Sequence, residues 1–270
     1  MSSERPLQVE ICSVGTEIAM GRIQDTNSSW IARRVAGLGA FINRITIVPD
    51  NEDYIVDALA SALARHPDAL IITGGMGPTD DDRTVACVAR LLGLPLVEDE
   101  ATIERFVKRR NVQDRSGLNP GSIKMATVPQ GADVGANPVG WAPALHLKRD
   151  ETDIFVLPGP PKEMVACFDA HVMPVLVQRA HRRTHCIRLA VEMYESEVAP
   201  LMVAVQDGQH GVYMKAFVAL RNGPEDFLPV DLVATGESEE EAERLSREAL
   251  ASFTSMVEAK GKRWHLADEN

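Results

Sequence analysis

Between residues 7 and 92, apolar runs of strand length alternate with segments whose apolar residues recur at helical spacing. That alternation confines the chain to βαβ units around a mostly parallel sheet. Leu7 to Val14 reads as a first strand and ends at Gly15-Thr16-Glu17. Trp30, Ile31, Val35 and Leu38 then mark a helix, with Gly37 and Gly39 as stop signals. Phe41 to Val48 alternates as a second strand closed by Pro49-Asp50-Asn51, and Ile55, Leu59, Ala62 and Leu63 carry the next helix. A third strand, Ala69 to Ile72, runs into Gly74-Gly75-Met76-Gly77-Pro78-Thr79, and a helix is predicted from about Asp81 to Leu92.

The pattern beyond this point is less regular. A charged helix is expected at about Asp99 to Arg110, followed by a long irregular stretch, Gly117 to Pro143, rich in Gly, Pro and Asn. Connections of that length tend to be functional. Ala144 to Lys148 and Asp153 to Leu157 read as a hairpin or neighbouring strands. Pro158-Gly159-Pro160-Pro161 then opens a helix from about Lys162 to Val177. Past a short basic segment the order becomes strand (Cys186 to Val191), helix (Glu195 to Val205), strand (Val212 to Leu220), strand (Leu228 to Ala234) and long helix (Glu239 to Ala259). Ser238 and Glu241 have capping-box spacing at the start of that last helix. The prediction is an α/β domain over residues 1–182 and a small α+β domain over 183–270.

The net charge of -11, from 28 basic and 39 acidic residues, argues against nucleic acid and against an anionic membrane surface as partners. No apolar run approaches the roughly 18 residues that span a bilayer, and no signal peptide is visible, so a cytoplasmic protein is expected. Cys12, Cys87, Cys167 and Cys186 lie far apart with no CxxC and read as buried, reduced thiols. The histidines form no HxH or HExxH, which disfavours zinc, and no GxSxG elbow is present. The GxxG at Gly208 to Gly211 reads as a turn before a strand.

In open α/β sheets the ligand sits at the carboxyl ends of the strands. Here those ends are Gly15-Thr16-Glu17, Asp50-Asn51, Gly74 to Asp82 and Pro158 to Glu163, all polar or glycine-rich. The turn at Gly74, Gly75 and Gly77 is neither a Walker A loop nor GxGxxG. It can still bring backbone N–H groups to a phosphate, with Pro78 and Thr79 at the helix start. Asp80, Asp81 and Asp82 would repel a bare phosphate, but suit one shared with a divalent cation. The same residues also fit a tight turn with an acidic helix start. Asp50 fits either a third carboxylate or an N-cap, and Asn137-Pro138-Val139-Gly140 fits either a ligand contact or a turn.

In order, VGTE (Val14 to Glu17), Asp25-Thr26-Asn27, Pro49-Asp50-Asn51, TGGMGPTDDDRT (Thr73 to Thr84), Asn137-Pro138-Val139-Gly140 with Ala142-Pro143, and LPGPPKEM (Leu157 to Met164) resemble the CinA-type competence/damage-inducible proteins. These are relatives of the molybdopterin-binding MoaB and MogA proteins. The resemblance implies a three-layer, mostly parallel α/β domain of that type followed by a KH-like domain, in a homo-oligomer (dimer or trimer). It implies metal-dependent hydrolysis of ADP-ribose or a related dinucleotide such as FAD, or else molybdopterin or nucleotide binding without hydrolysis. Asp81 with Asp82 or Asp50 would hold a Mg, Mn or Co ion. Gly15, Thr16, Glu17 and Asn27 would meet the nucleotide substrate, as would Gly74, Gly75, Gly77, Pro78 and Thr79. Asn137, Pro138 and Gly140 are expected beside it, with Pro158, Gly159 and Pro160. The amidase domain of longer members, which deamidates nicotinamide mononucleotide, is not expected in this sequence. Two positions depart from the family pattern: Asp80, where Lys is frequent, and Trp141, where a small residue such as Thr is usual.

Overall fold

The computed structural model describes residues 5–221 and 226–267. Strand β1 (Gln8–Val14) leads through α1 (Thr16–Ala19) and α2 (Thr26–Ala36) to β2 (Phe41–Val48), and α3 (Glu52–Leu63), β3 (Ala69–Thr73) and α4 (Thr84–Leu92) follow. Next come β4 (Leu96–Glu98), α5 (Glu100–Arg110), α6 (Pro120–Met125), β5 (Thr127–Pro129) and β6 (Asp133–Gly135). The hairpin β7 (Ala144–Arg149) and β8 (Thr152–Leu157) precedes α7 (Pro161–Cys167) and α8 (Met173–Arg179). Two compact units result. The larger comprises Leu7–Val35 and Ala40–Arg179, and the smaller is built chiefly from Ala180 onward, three residues before the predicted boundary.

In the larger unit six strands form one sheet in the order β2-β1-β3-β8-β7-β6. The pairs β1–β2, β1–β3 and β3–β8 are parallel, whereas β7 runs antiparallel to both β8 and β6. Successive side chains of a strand point to opposite faces. Cys12, Val14, Leu70, Ile72, Ile154 and Val156 accordingly share one core with Ile55 and Leu59 of α3 and Cys87 and Val88 of α4. Ile11, Ile71, Phe155 and Leu157 are equally buried on the alternate positions. On α2, Trp30 meets Phe168 edge-on at 5.3 Å. The result is the three-layer, mostly parallel sheet of the MoaB/MogA type.

Several expectations are corrected. α4 begins at Thr84 with Arg83 as its N-cap, so Asp81 and Asp82 precede the helix and its first turn holds no acidic residue. The stretch from Gly117 to Pro143 is not irregular, because it contains α6, β5 and β6. The helix predicted from Lys162 to Val177 is interrupted by a wide π turn at Phe168–Val172. Cys12, Cys87 and Cys167 are buried, and burial pushes the Cys12 and Cys167 thiols up to about 12. Cys186 instead lies exposed on its strand.

The smaller unit contains β9 (Arg183–Val191), α9 (Glu195–Gly208), β10 (Val212–Ala216), β11 (Leu228–Gly236), α10 (Glu239–Ala259) and β12 (Trp264–Leu266). Its antiparallel sheet has the order β10-β11-β9-β12. Alternate residues of β11 (Leu228, Val230, Leu232 and Ala234) share a core with Ala249, Phe253 and Val257 of α10. The strand-helix-strand-strand-helix order is the predicted one. β10 stops at Ala216 before a short 3-10 turn, and β12 was not anticipated. Ser238 accepts from the Glu241 backbone N–H at 3.2 Å, while the Glu241 carboxylate reaches one residue further out, to the N–H of Glu237 at 2.7 Å.

One buried charge lies in β8. Asp153 is fully buried and accepts hydrogen bonds from His146 Nε2 at 2.8 Å and from Arg179, with Lys148 Nζ at 3.5 Å. Burial alone would raise its pKa, but the bonds from His146 and Arg179 and the neighbouring charges outweigh that and hold it below the ordinary value. A depressed carboxylate pKa contributes stability that is present above the unfolded-state pKa and is lost as pH falls through the folded one. Asp153→Asn should therefore cost about 2 kcal/mol at neutral pH and flatten the loss of stability on acidification. Urea titrations of both proteins at about pH 7 and about pH 3 check this.

Candidate functional site

The order β2-β1-β3 means that the chain leaves β1 to one side for β2 and returns on the other side for β3. A crevice opens at such a reversal, beyond the carboxyl ends of the strands. A cavity of about 700 Å³ occupies this position, lined at its base by Val14 and Gly15 after β1, Thr73 to Pro78 after β3, and Pro158 to Pro161 after β8. That is within the range that accommodates a nucleotide-sized ligand.

The glycine turn is dictated by close approach. Gly74 (φ 97°) lies so near the Val14 carbonyl oxygen that a Cβ there would overlap it. Gly75 (φ 64°) would likewise drive a Cβ into Thr84 Oγ1. At Gly77 an added Cβ would come within 2.5 Å of Asp82 Oδ2, so this carboxylate lies over the glycine backbone. Asp82 Oδ2 accepts from the Thr79 N–H at 2.9 Å and from Thr79 Oγ1 at 2.7 Å, closing the turn that separates the glycines from α4. Thr79 thus serves Asp82 and does not cap α4, whose N-cap is Arg83. Asp81 is exposed and its carboxyl is held below the ordinary range, first by hydrogen bonding from Thr79, then by its own backbone N–H and the charges of Lys124 and Arg83. Lys124 also donates to the Thr79 carbonyl. Asp80 is exposed, and its carbonyl accepts from Arg83 Nε at 3.1 Å.

Asp50 lines the cavity, but one of its oxygens is engaged. Its Oδ2 accepts from the Thr16 N–H at 2.7 Å and from Thr16 Oγ1 at 2.9 Å, which fastens the start of α1 to the end of β2. The N-cap of α3 is Asn51, whose side chain accepts from Asp53 N and Tyr54 N. Asn27, on α2, donates from Nδ2 to the Gly159 carbonyl at 2.8 Å and to Thr73 Oγ1 at 3.1 Å, tying α2 to the ends of β3 and β8.

Of the expected ligand contacts, Gly15, Glu17, Asn27, Gly74, Gly75, Gly77, Pro78, Pro158, Gly159 and Pro160 line the cavity, as do Asp50, Asp81 and Asp82. Thr16, Thr79, Asn137, Pro138 and Gly140 do not. Asn137 acts as a loop hub instead. Its Oδ1 accepts from Val139 N and Gly140 N, and its Nδ2 donates to the Ala142 carbonyl and to Glu163 Oε2, so no group is left for a ligand. These bonds shape the loop on either side of Trp141, which lines the cavity.

Sequence reasoning did not select Ser13, Asp25 or Arg110, which also line the cavity, and Glu163 lines it as the last residue of the strand end expected there. Arg110 is its one basic side chain among the described residues, facing Glu17, Asp25, Asp50, Asp81, Asp82 and Glu163. Its guanidinium lies 4.9 Å from the ring centre of Trp141, which also carries Arg109 at 4.3 Å and meets Phe106 edge-on. Only its place at the last turn of a basic helix could have pointed to Arg110.

A glycine-rich, acid-rimmed cavity thus lies at the switch point of an α/β sheet. Residues 10–178 match the model of a family described as a probable molybdopterin binding domain. A protein of Pyrobaculum aerophilum is 36% identical, over 93% of this chain and 94% of its own length. A CinA-like protein of Myxococcus xanthus is 34% identical over 87% of this chain, which spans 56% of that relative. The crystal structure of CinA from Thermoplasma acidophilum, 34% identical, superposes with a TM-score of 0.59 over 63% of this chain and 98% of that one. The chain belongs to the CinA-type family.

The glycine constraint has a direct test. Gly74→Ala adds a Cβ against the Val14 carbonyl at a positive φ and should cost about 2–4 kcal/mol. Gly131→Ala, also at positive φ but with nothing within 4 Å of the added carbon, should cost only the conformational part, about 1–2 kcal/mol. Denaturant titrations of the two variants measure the difference.

Proposed function

We propose that this protein is a metal-dependent nucleotide pyrophosphatase that hydrolyses ADP-ribose, or a related dinucleotide such as FAD, to AMP and a phosphorylated product. The reading is of a cytoplasmic homo-oligomer acting on a small molecule. The observation that carries it is the placement of Asp81 and Asp82 beside backbone at Gly74, Gly75 and Gly77 that lies too close to its neighbours for a Cβ, within one nucleotide-sized cavity. Among the described residues no helix is long and apolar enough to cross a membrane.

Among the described residues, no three His, Cys, Asp or Glu side chains converge so as to hold a metal ion. A hard divalent ion of the magnesium type still suits the donors present, since it takes one or two carboxylates and completes its shell with substrate phosphates and water. Asp81 and Asp82 would supply those carboxylates, and when bound the ion supplies polarisation of a phosphoryl oxygen and a lowered pKa for its water. The turn from Gly74 to Gly77 brings backbone close to the non-bridging oxygens where charge grows. Asp50, engaged by Thr16, positions the β1 end rather than joining the chemistry. Among the described residues, Arg110 offers the one cationic contact from the cavity wall to a ligand phosphate.

The deciding assay follows AMP release from ADP-ribose, FAD and NAD with Mg, Mn or Co. Asp81→Asn should reduce turnover by at least about 100-fold. If the wild-type protein does no better than that variant in every combination, the hydrolytic reading is lost. A second reading, ligand binding without hydrolysis, is favoured by the family description, a probable molybdopterin binding domain. It requires saturable binding in calorimetry with no product after hours of incubation.

A further inference from the structure

Three polar atoms in the cavity wall have no hydrogen-bond partner among the described residues: Ser13 Oγ, Asp25 Oδ2 and Asn27 Oδ1. Ser13 and Asn27 are only 1% and 6% exposed, so leaving such atoms unmet is costly. The Asn27 amide orientation is fixed by chemistry. Its Nδ2 donates to the Gly159 carbonyl, which has no proton to give. It also donates to Thr73 Oγ1, whose own proton goes to the Pro158 carbonyl at 3.0 Å. The atom left over is therefore an acceptor. Asp25 Oδ1 accepts from the Ser28 N–H at 2.9 Å, at the start of α2, which leaves Oδ2 as a second acceptor.

A phosphate brings only acceptors and negative charge, and it matches neither atom. We propose that the corner formed by Ser13, Asp25 and Asn27 is a subsite for a neutral, donor-bearing part of the ligand, with the phosphates lying away from it toward the glycine turn. Sugar hydroxyls and the amide-amine edge of a heterocycle share this chemistry. The inference rests on the reading of the cavity as a nucleotide site, but not on hydrolysis there.

Calorimetric titration of the full chain in the presence of Mg tests it with two pairs of probes. These are ribose 5-phosphate against 2-deoxyribose 5-phosphate, and GMP against IMP, which lacks the 2-amino group. The wild-type protein should prefer the donor-bearing member of at least one pair by about 10-fold. Ser13→Ala and Asp25→Ser, the latter retaining a cap for α2, should each reduce that preference to below about 3-fold while keeping the wild-type circular dichroism. The pair that discriminates identifies the source, sugar or heterocycle. Equal affinities within both pairs, no binding of any probe, or a preference that survives both substitutions would overturn the subsite and leave these atoms to water. Discrimination without AMP release from any dinucleotide would keep the subsite and remove the pyrophosphatase reading, so the two fail separately.

Discussion

The site depends on two strand ends whose backbones come together with no room for a side chain. Where β3 finishes, Gly74 lies against the carbonyl of Val14 at the end of β1. This approach lets both ends bound one cavity instead of being held apart by a Cβ. The following residues inherit the constraint. Gly75 accommodates Thr84, Gly77 accommodates the Asp82 carboxylate, and the turn closed by Asp82 and Thr79 sets where α4 can begin. Asn27 adds a bond to the end of β3 and another beyond the end of β8. The acidic groups are thus held by backbone geometry more than by one another.

Charge divides the cavity into unlike regions. Among the described residues six carboxylates and one guanidinium line it, so an anionic ligand meets repulsion unless cations accompany it. Arg110 is steadied by the aromatic face of Trp141. Trp141 holds that place because Asn137 saturates its own loop and Arg109 donates to the Gly140 carbonyl.

Much of this was legible in the sequence, and the failures have definite causes. The parallel strands were readable because their apolar runs are short and stop at glycine or proline. β1, β2 and β3 fall within about a residue of the predicted limits. The start of α4 was misplaced because a run of aspartates before an apolar period looks like a helix N-terminus. Here Asp82 bonds backwards to Thr79, making a turn first. β4, β5, β6 and β12 are three-residue strands, too short for any alternation to register. The glycines and acids of the cavity could be found from motif order, while Asn137 misled because a turn-forming asparagine and a ligand-binding one share the same sequence. Arg110 and Ser13 reach the wall only through tertiary packing, which no spacing along the chain encodes.

Asp25 has one oxygen turned to its helix and the other to the cavity. Sequence drift at this position is therefore doubly filtered. A substitution that changes what the cavity prefers must still hold the first turn of α2, which favours Asn, Ser, Thr and Gly and disfavours the larger apolar side chains. Selectivity at this corner can thus evolve only through small residues, and a larger change of preference has to come from residues such as Trp141 that hold no helix end in place.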